Sequence, residues 1–270
     1  GTVIAYDGTV SKVNLKRDSL LSAGVYPAWH PTQPLIAYST NLTSQLFHTR
    51  DLQKVEVQDT YSDLILYDVE QDCVMSLPRD SDELDCFPWW SPDGQTLYYC
   101  TAQLADSIWK NFHEIRYSIC RIAFDPETGR FTGRPDTLVS ACKTGKSANM
   151  PRVSYDGRFL LYTLCDYGCF PVWHPESDLW MMDLESGEHY PLTAANSNDA
   201  ESFHSWSLNS RWIVFTTRRD DGLYTTLYIA HVGADGHADK AFRLPQRNPK
   251  EHDAEAVCSF NTPDFTQRKV

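Results

Sequence analysis

Apolar positions recur along this chain in a repeated order. Four segments share an apolar or aromatic residue, a short strand, a tight turn and a second apolar strand: VYPAWHPTQPLIAYST from Val25, CFPWWSPDGQTLYYCT from Cys86, NMPRVSYDGRFLLYTL from Asn149 and SFHSWSLNSRWIVFTT from Ser202. Two of the turns contain Asp-Gly, which supplies the positive φ that a hairpin needs. The pattern predicts four strand hairpins, and a fainter fifth copy, CSFNTPDFT, starts at Cys258.

A second pair of strands is predicted after each of the four hairpins. The segments that read as strand, turn, strand are DLILYDVEQDCVMSL, SICRIAFDPETGRFTGRPDTLVS, DLWMMDLESGEHYPLT and TLYIAHVGADGHADKAFRLP. Four strands per unit, repeated about every 55 to 60 residues, are typical of propeller blades that loops have lengthened slightly. The sequence therefore predicts an all-β propeller built from four-stranded blades.

The two ends of the chain predict how the ring closes. Residues 2–15 read as a second strand pair without a first, and the copy at Cys258 reads as a first pair without a second. Joined, they would make one blade and remove the exposed edges of an open sheet. We therefore predict a single domain, 1–270, of five blades, and the alternative is part of a six-bladed propeller. The predicted blades are 25–82, 86–140, 149–196, 202–246, and 257–270 together with 1–20.

The blade motif resembles a known family. Pro88-Trp89-Trp90-Ser91-Pro92-Asp93-Gly94, followed by an apolar strand and by strands such as DLWMMDL, is similar to the repeat of TolB-type, WD-repeat-like propellers, over nearly the whole chain. The strings AESFHSW and TTRRDDGLY resemble envelope proteins of Bacteroidetes-type bacteria, some of which carry a haem-attachment segment. The resemblance implies a periplasmic or cell-envelope location. This architecture hosts scaffolds, lyases, glycosidases and protease domains, so it does not fix the function.

Charge and composition exclude some classes of binding partner. The formal net charge is −12 and the pI is about 5.1, which argues against binding to nucleic acid or to anionic lipid. No apolar run is long enough to span a bilayer, so direct membrane insertion of this chain is not expected. Eight cysteines include no C-x-x-C pair, and the redox compartment stays open. For Cys165 and Cys169 we favour free thiols over a bridge.

The predicted propeller places the long, irregular loops on one face. We expect these loops at 41–62, 102–117, 165–177 and 218–225, whereas the short Asp-Gly turns lie on the opposite face. Long loops on a rigid scaffold are where binding residues concentrate. The candidate ligand-binding residues on this face are Tyr167, His174, His204, Arg218, Arg219 and Asp220.

Two interpretations of the histidines remain open. His48, His113, His174 and His204 would come from different blades to one channel mouth, where neutral imidazoles and nearby carboxylates suit a divalent metal. Alternatively, they belong to a solvated rim and are hydrogen-bonded to the backbone. Arg218 and Arg219 either grip an anionic ligand or pair with the adjacent Asp220 and Asp221 in a turn.

The sequence favours binding over catalysis. It contains neither a G-x-S-x-G motif nor a complete phosphate-binding loop, and SACKTGKS has Ser140 in place of the first glycine of such a loop. We therefore predict a non-enzymatic envelope propeller that binds an unidentified protein or small ligand and needs no cofactor. The alternatives are a metal-assisted polysaccharide lyase or glycoside hydrolase, with a divalent metal as cofactor, and an accessory domain of a haem-linked redox protein.

Overall fold

Four antiparallel sheets of four strands form the blades of a β-propeller. The computed structural model describes residues 1–4, 8–17, 20, 22–49, 55–77, 82–105, 111–248 and 259–266. Among these residues, no helix has the length and apolar character needed to cross a membrane. Each blade uses four strands that follow one another in the chain, because each pair of neighbours is joined as a hairpin or through a longer loop.

The blade boundaries follow the sequence repeat. Blade 1 contains β3 (Gly24–Trp29), β4 (Leu35–Phe47), β5 (Val55–Asp68) and β6 (Cys73–Ser76), and blade 2 contains β7 (Glu83–Trp90), β8 (Thr96–Gln103), β9 (Ser118–Asp125) and β10 (Arg130–Val139). Blade 3 contains β11 (Ser147–Val153), β12 (Phe159–Cys165), β13 (Asp178–Asp183) and β14 (His189–Pro191), and blade 4 contains β15 (Glu201–Trp206), β16 (Trp212–Thr217), β17 (Thr226–His231) and β18 (Phe242–Arg243). A short helix α1 (Ala141–Thr144) joins blades 2 and 3, and 3-10 turns lie at Phe112–Glu114 and Pro171–Trp173.

The prediction of five blades is wrong. The N-terminal strands β1 (Thr2–Ile4) and β2 (Val10–Lys12) pair with each other in a separate two-stranded sheet. Residues 259–266 form no strand, although Phe260 exchanges backbone and side-chain hydrogen bonds with Thr225 of blade 4. The described part of the predicted fifth copy therefore adds no sheet. Its first residue, Cys258, and residues 257 and 267–270 lie outside the described residues.

The first strand of every blade carries the same β-bulge. The pairing register shifts at equivalent points of β3, β7, β11 and β15, and the bulged residue has positive φ in all four: Tyr26 (53°), Phe87 (52°), Met150 (55°) and Phe203 (39°). A bulge bends its strand and re-aims one side chain. These four side chains belong to one apolar cluster, in which the rings of Tyr26 and Phe87 are 4.4 Å apart. They pack the four first strands together where the blades converge.

Apolar faces of neighbouring blades make the core. One cluster of buried side chains lies between blades 1 and 2, one between blades 2 and 3, and one between blades 3 and 4. A fourth cluster covers the remaining face of blade 1, where Val13, Leu15 and Leu20 pack on residues of β4 and β5. The N-terminal segment therefore protects the first blade.

The hairpin turns on one face repeat the same polar contacts. In blades 2, 3 and 4, a serine hydroxyl donates to the side chain two residues later and accepts an amide hydrogen bond from the start of the second strand; these serines are Ser91, Ser154 and Ser207. Blade 1 uses His30 instead, whose Nδ1 accepts from the amides of Thr32 and Gln33. His30 therefore belongs to the hairpin turn of blade 1 and lies on the face opposite the long loops.

Candidate functional site

A long hairpin of blade 1 reaches across the loop-bearing face. We call this face, which bears the loops after the second strand of each blade, the mouth face. Strands β4 and β5 have 13 and 14 residues, roughly twice the length of their counterparts in blades 3 and 4, and both pack against β7 of blade 2. The predicted loop 41–62 is therefore wrong, because residues 41–47 and 55–62 continue the two strands in register.

The hairpin delivers Glu56 to the loop of blade 3. Tyr167 donates a hydrogen bond from Oη to Glu56 Oε1 over 2.6 Å. His48 Nε2 lies 3.5 Å from Glu56 Oε1, and His174 Nε2 lies 3.9 Å from Glu56 Oε2. The Glu56 side chain is only 4% exposed, so these groups surround a carboxylate that is almost withdrawn from water. We call His48, Glu56, Tyr167, His174 and Glu176 the Glu56 cluster.

A second carboxylate orients His174. His174 Nδ1 and Glu176 Oε1 are 3.0 Å apart, and the amide of Asp166 donates to the same oxygen. Burial alone would raise the pKa of Glu176, but the hydrogen bond and the positive charge of His174 outweigh it and lower this pKa to about 2. The imidazole is thus placed between two carboxylates, with the ring of Tyr167 packed edge-on at 4.5 Å.

The blade 3 loop is also hydrogen-bonded to strand β5 through Asp59. Asp59 of β5 accepts hydrogen bonds from Asn41, Thr43 and the thiol of Cys169. Burial raises the pKa of Asp59, while these three donors act in the opposite direction. Cys165 and Cys169 are buried free thiols, as the sequence favoured. The loop at 165–177 is therefore fixed to the hairpin by two buried carboxylates, Glu56 and Asp59.

The other predicted histidines lie apart from Glu56. His113 faces its neighbour Glu114 at 3.9 Å, although the adjacent Phe112 packs on the rings of His48 and Tyr167. His204 is buried in β15, where its Nε2 is 3.3 Å from the carbonyl of Leu161. Burial, assisted by the positive charge of Arg152, lowers the pKa of His204 to about 3, so this imidazole is neutral at physiological pH.

The residues present do not fit the proposed metal centre. Within the described ranges, no group of three or more His, Cys, Asp or Glu side chains is arranged to hold a metal ion. His48 and His174 approach one carboxylate oxygen each, and Tyr167 already donates to that carboxylate. The Glu56 cluster is thus a hydrogen-bonded junction between two blades.

The side chains of residues 218–221 make hydrogen bonds within blade 4 and to the blade 3 loop. Arg218 donates to the carbonyls of Val172 and Gly222. Asp220 accepts hydrogen bonds from Thr226 (2.8 Å) and Tyr228 (2.7 Å). Asp221 accepts from two amides of the following turn. The two arginines bond to backbone carbonyls and to Glu201, so the predicted pairing with Asp220 and Asp221 is not observed. The segment forms a structural turn through these other contacts.

Arg219 forms a buried ion pair. Its Nη2 lies 2.8 Å from Oε1 of Glu201, whose side chain is 0% exposed. Glu201 also accepts hydrogen bonds from Ser197 and Thr217. This network joins the turn after β16 to the first strand of the same blade.

An open groove crosses blade 2 on the mouth face. It has a volume of about 620 Å³ and lies over the mouth-side ends of β7, β8 and β9, with the α1 segment as one wall. Its lining is mixed polar and apolar and includes Glu83, Gln103, Glu114, Arg116 and Cys142. Thr101, also in the lining, has a buried hydroxyl for which the structure shows no hydrogen-bond partner.

Comparisons with known proteins identify the fold. No family model matches the sequence, and no curated protein matches it. Solved structures that resemble it include TolB from Acinetobacter baumannii (17% identity, 77% of this chain and 42% of that chain, TM-score 0.46) and an oligogalacturonate lyase in complex with manganese (16%, 77% and 48%, 0.47). A puromycin hydrolase variant complexed with PGG is also similar (11%, 88% and 42%, 0.50). The shared feature is the propeller fold.

The similarity covers only part of each of these proteins. The chain spans less than half the length of each of the three proteins named. At identities of 11 to 17% the likeness concerns the fold alone, and the activity of this chain has to be argued from its own residues.

Sequence reasoning missed the acidic half of the Glu56 cluster. Tyr167 and His174 were selected, and His48 as a possible metal ligand, but Glu56 and Glu176 were not. Glu56 alternates with apolar residues in Val55-Glu56-Val57, a pattern that predicts a strand and no particular role for the glutamate. The burial of the Glu56 carboxylate depends on the blade 3 loop, which is distant in the sequence. Nothing in the local sequence marks it.

Proposed function

We propose that this chain is a non-enzymatic cell-envelope propeller that binds a protein segment or a small ligand in the groove over blade 2. The observation that carries the proposal is the groove itself, which measures about 620 Å³, is open to solvent, has a mixed polar and apolar lining and is built on the ends of strands. Ligand sites are concave and place a few polar groups on a rigid scaffold. The cell-envelope location rests on the resemblance to TolB-type propellers.

The floor of the groove is rigid. Thr101 and Ser118 lie in paired strands, opposite each other in register. The hydroxyl of Ser118 accepts a hydrogen bond from the amide of Ala141, which fixes the α1 wall to the floor. A preformed site of this kind loses little conformational entropy on binding.

The charges in the groove favour a ligand that carries both a positively and a negatively charged group. Glu83 and Glu114 contribute carboxylates, and Arg116 contributes a guanidinium group. The protein as a whole has a net charge of −12. Arg116 therefore offers a local positive charge to an anionic group of a ligand on an otherwise acidic surface. A peptide segment that carries an acidic and a basic or amide group fits this pattern.

A displayed library of random linear peptides is the probe that tests the proposal. Peptides selected on the wild-type protein should bind R116E at least about tenfold more weakly, because a charge-assisted contact is replaced by repulsion. They should also lose affinity for Q103W, in which the larger side chain fills the groove. R134E is the matched control, since Arg134 is an exposed arginine of the same blade that does not line the groove.

The proposal fails if the selected peptides bind R116E and Q103W as tightly as the wild type. It also fails if R134E weakens binding as much as R116E, because the effect would then reflect net charge and not the groove. Small ligands are assessed by their ability to displace a selected peptide from the wild-type protein.

A further inference from the structure

The outermost strand of blade 2 is much longer than its counterparts. β10 has 10 residues, whereas the outermost strands of blades 1, 3 and 4, which are β6, β14 and β18, have 4, 3 and 2. In the sheet of blade 2, β10 is the last strand and pairs with β9 alone. A short outer strand leaves little backbone available for pairing with another chain. Among the four described blades, blade 2 is therefore the one that presents a long sheet edge.

The backbone along this edge is open to solvent. Residues 132–137 are all exposed, while Phe131, Leu138 and Val139 pack against the core clusters. Among the described residues, the hydrogen bonds of β10 go to β9. An antiparallel edge strand directs alternate N–H and C=O groups outward, so β10 offers donors and acceptors to one more strand.

A bulge divides the edge into two runs. The pairing register shifts between Thr132 and Asp136, and residues 133–135 have no partner in β9. Pro135 lacks an N–H group, and a bulge on an edge strand is a place where a sheet tolerates proline. An added strand is therefore expected to pair at 130–132 and 136–137, on the two sides of the bulge.

The charge of the edge indicates an acidic occupant. Arg130 and Arg134 are exposed, and neither forms an ion pair with any of the described residues. Asp136, the one acidic residue of β10, already pairs with Arg121 at 3.0 Å. Residues 116–146 contain six Lys and Arg and three Asp and Glu, a net charge of +3 within a chain of −12. An acidic strand is thus attracted to this edge of an otherwise acidic protein.

We propose that the outer edge of β10 binds an extended acidic segment of a partner protein, which joins blade 2 as a fifth strand. In this mode of recognition, backbone hydrogen bonds supply affinity and alternate side chains supply specificity. The backbone on both sides of the bulge pairs with the segment. Arg130 and Arg134 donate to its carboxylates, in hydrogen bonds that their charges strengthen.

This edge is distinct from the blade 2 groove. Thr137 is the one residue of β10 that also lines the groove, and Arg134 does not line it. Arg116, the arginine of the groove, precedes β9 in the chain and lies outside β10. Substitutions of Arg116 and Arg134 therefore separate the two sites.

Synthetic peptides of about eight residues test the proposal on the intact chain. In the acidic probe glutamate alternates with valine, and in the control probe glutamine replaces glutamate. Fluorescence anisotropy at low salt should show binding of the acidic probe, and R134E should weaken it at least about fivefold because attraction becomes repulsion. K240E, the same charge change at an exposed lysine of blade 4, should alter it less than about twofold. Because Arg134 is exposed, R134E should keep its fold, which circular dichroism verifies.

Backbone methylation distinguishes strand addition from a mere attraction of charges. In a strand added to a sheet edge, alternate amides point toward β10 and the others toward solvent. N-methylation of one alternate set of amides in the acidic probe should abolish binding. N-methylation of the other set should leave binding intact.

Four results would overturn the proposal. The glutamine probe could bind as tightly as the acidic probe, or neither could bind. The two methylated probes could bind equally well, which would indicate that charge alone holds them. R116E could weaken binding of the acidic probe as strongly as R134E, which would place the peptide in the groove. Sedimentation could show self-association of the wild type that R134E abolishes, which would assign the edge to a second copy. Library peptides that ignore R116E and Q103W would count against the groove alone.

Discussion

Removal of the Arg219 guanidinium group is expected to destabilise the fold in a pH-dependent way. Arg219→Met retains the length and apolar stem of the side chain and deletes the charge. Glu201, with a side chain that is 0% exposed, then keeps an ionised carboxylate in the interior without its cation. The change therefore tests whether this predicted ligand-binding residue has a structural role.

The magnitude follows from the remaining partners of Glu201. Loss of one member of a buried ion pair costs about 3 to 5 kcal/mol. Ser197 donates to Glu201 from its hydroxyl (2.6 Å) and its amide (3.1 Å), and Thr217 donates from its hydroxyl (2.9 Å). Because these hydrogen bonds persist, we expect the lower end, about 3 kcal/mol at neutral pH.

The sign of the pH dependence is fixed by Glu201. Burial raises its pKa, whereas Ser197 and Arg219 act to lower it. Without Arg219 the pKa rises further, so the ionised form is penalised more. An acid whose pKa is higher in the folded state loses stability as pH rises through its titration range. The difference in free energy of unfolding between R219M and the wild type should thus be largest at neutral pH and should shrink as the pH falls.

Urea unfolding at a series of pH values measures this difference. R218M is the matched control: Arg218 donates to neutral backbone carbonyls, so its loss should be independent of pH. In the double variant E201Q/R219M the buried charge is absent and most of the lost stability should return. A cost below about 1 kcal/mol for R219M, the range of an exposed pair, would refute the buried ion pair. So would a cost that does not change with pH.

Three further predictions concern the Glu56 cluster and the blade interfaces. E56Q should lower the free energy of unfolding by about 1 to 3 kcal/mol and accelerate amide exchange in the blade 3 loop, whereas E114Q, at an exposed carboxylate, should do neither. Glu176 has a depressed pKa of about 2, so its stabilisation is present above its ordinary pKa and is lost as the pH falls toward 2; E176Q should remove this part of the acid unfolding curve. L179A should cost about 3 kcal/mol in urea unfolding, more than L227A, because Leu179 is 0% exposed between blades 3 and 4 whereas Leu227 is partly exposed; equal losses would contradict the packing of blade 4 on Leu179.

The blade architecture could be predicted because its signals are local. Alternating apolar residues and Ser-x-Asp-Gly turns place each hairpin without reference to the rest of the chain, as at Ser91 and Ser154. The second residue of each of the four repeated segments, at 26, 87, 150 and 203, is the residue with positive φ at the bulge. The fifth blade was wrong because a blade needs partner strands, and a weak repeat such as CSFNTPDFT does not reveal whether they exist.

The extent of β4 and β5 was also misjudged. Residues 41–47 and 55–62 contain many polar side chains and were assigned to a loop, yet they pair in register beyond the edge of blade 1. The buried positions of this part of β5 are polar (Glu56, Gln58 and Asp59), so an alternation of apolar residues does not mark the strand there.

The sequence by itself determined the repeated blade: four hairpins with their turns, each followed by a second pair of strands. These depend on side-chain alternation and on turn chemistry within a few tens of residues. Only the tertiary structure decided which polar groups meet. Glu56 and Tyr167 are 111 residues apart, and their hydrogen bond exists because a long hairpin of blade 1 crosses blade 2 to reach blade 3. A buried carboxylate needs partners, and the packing of whole blades, which no local pattern records, supplies them.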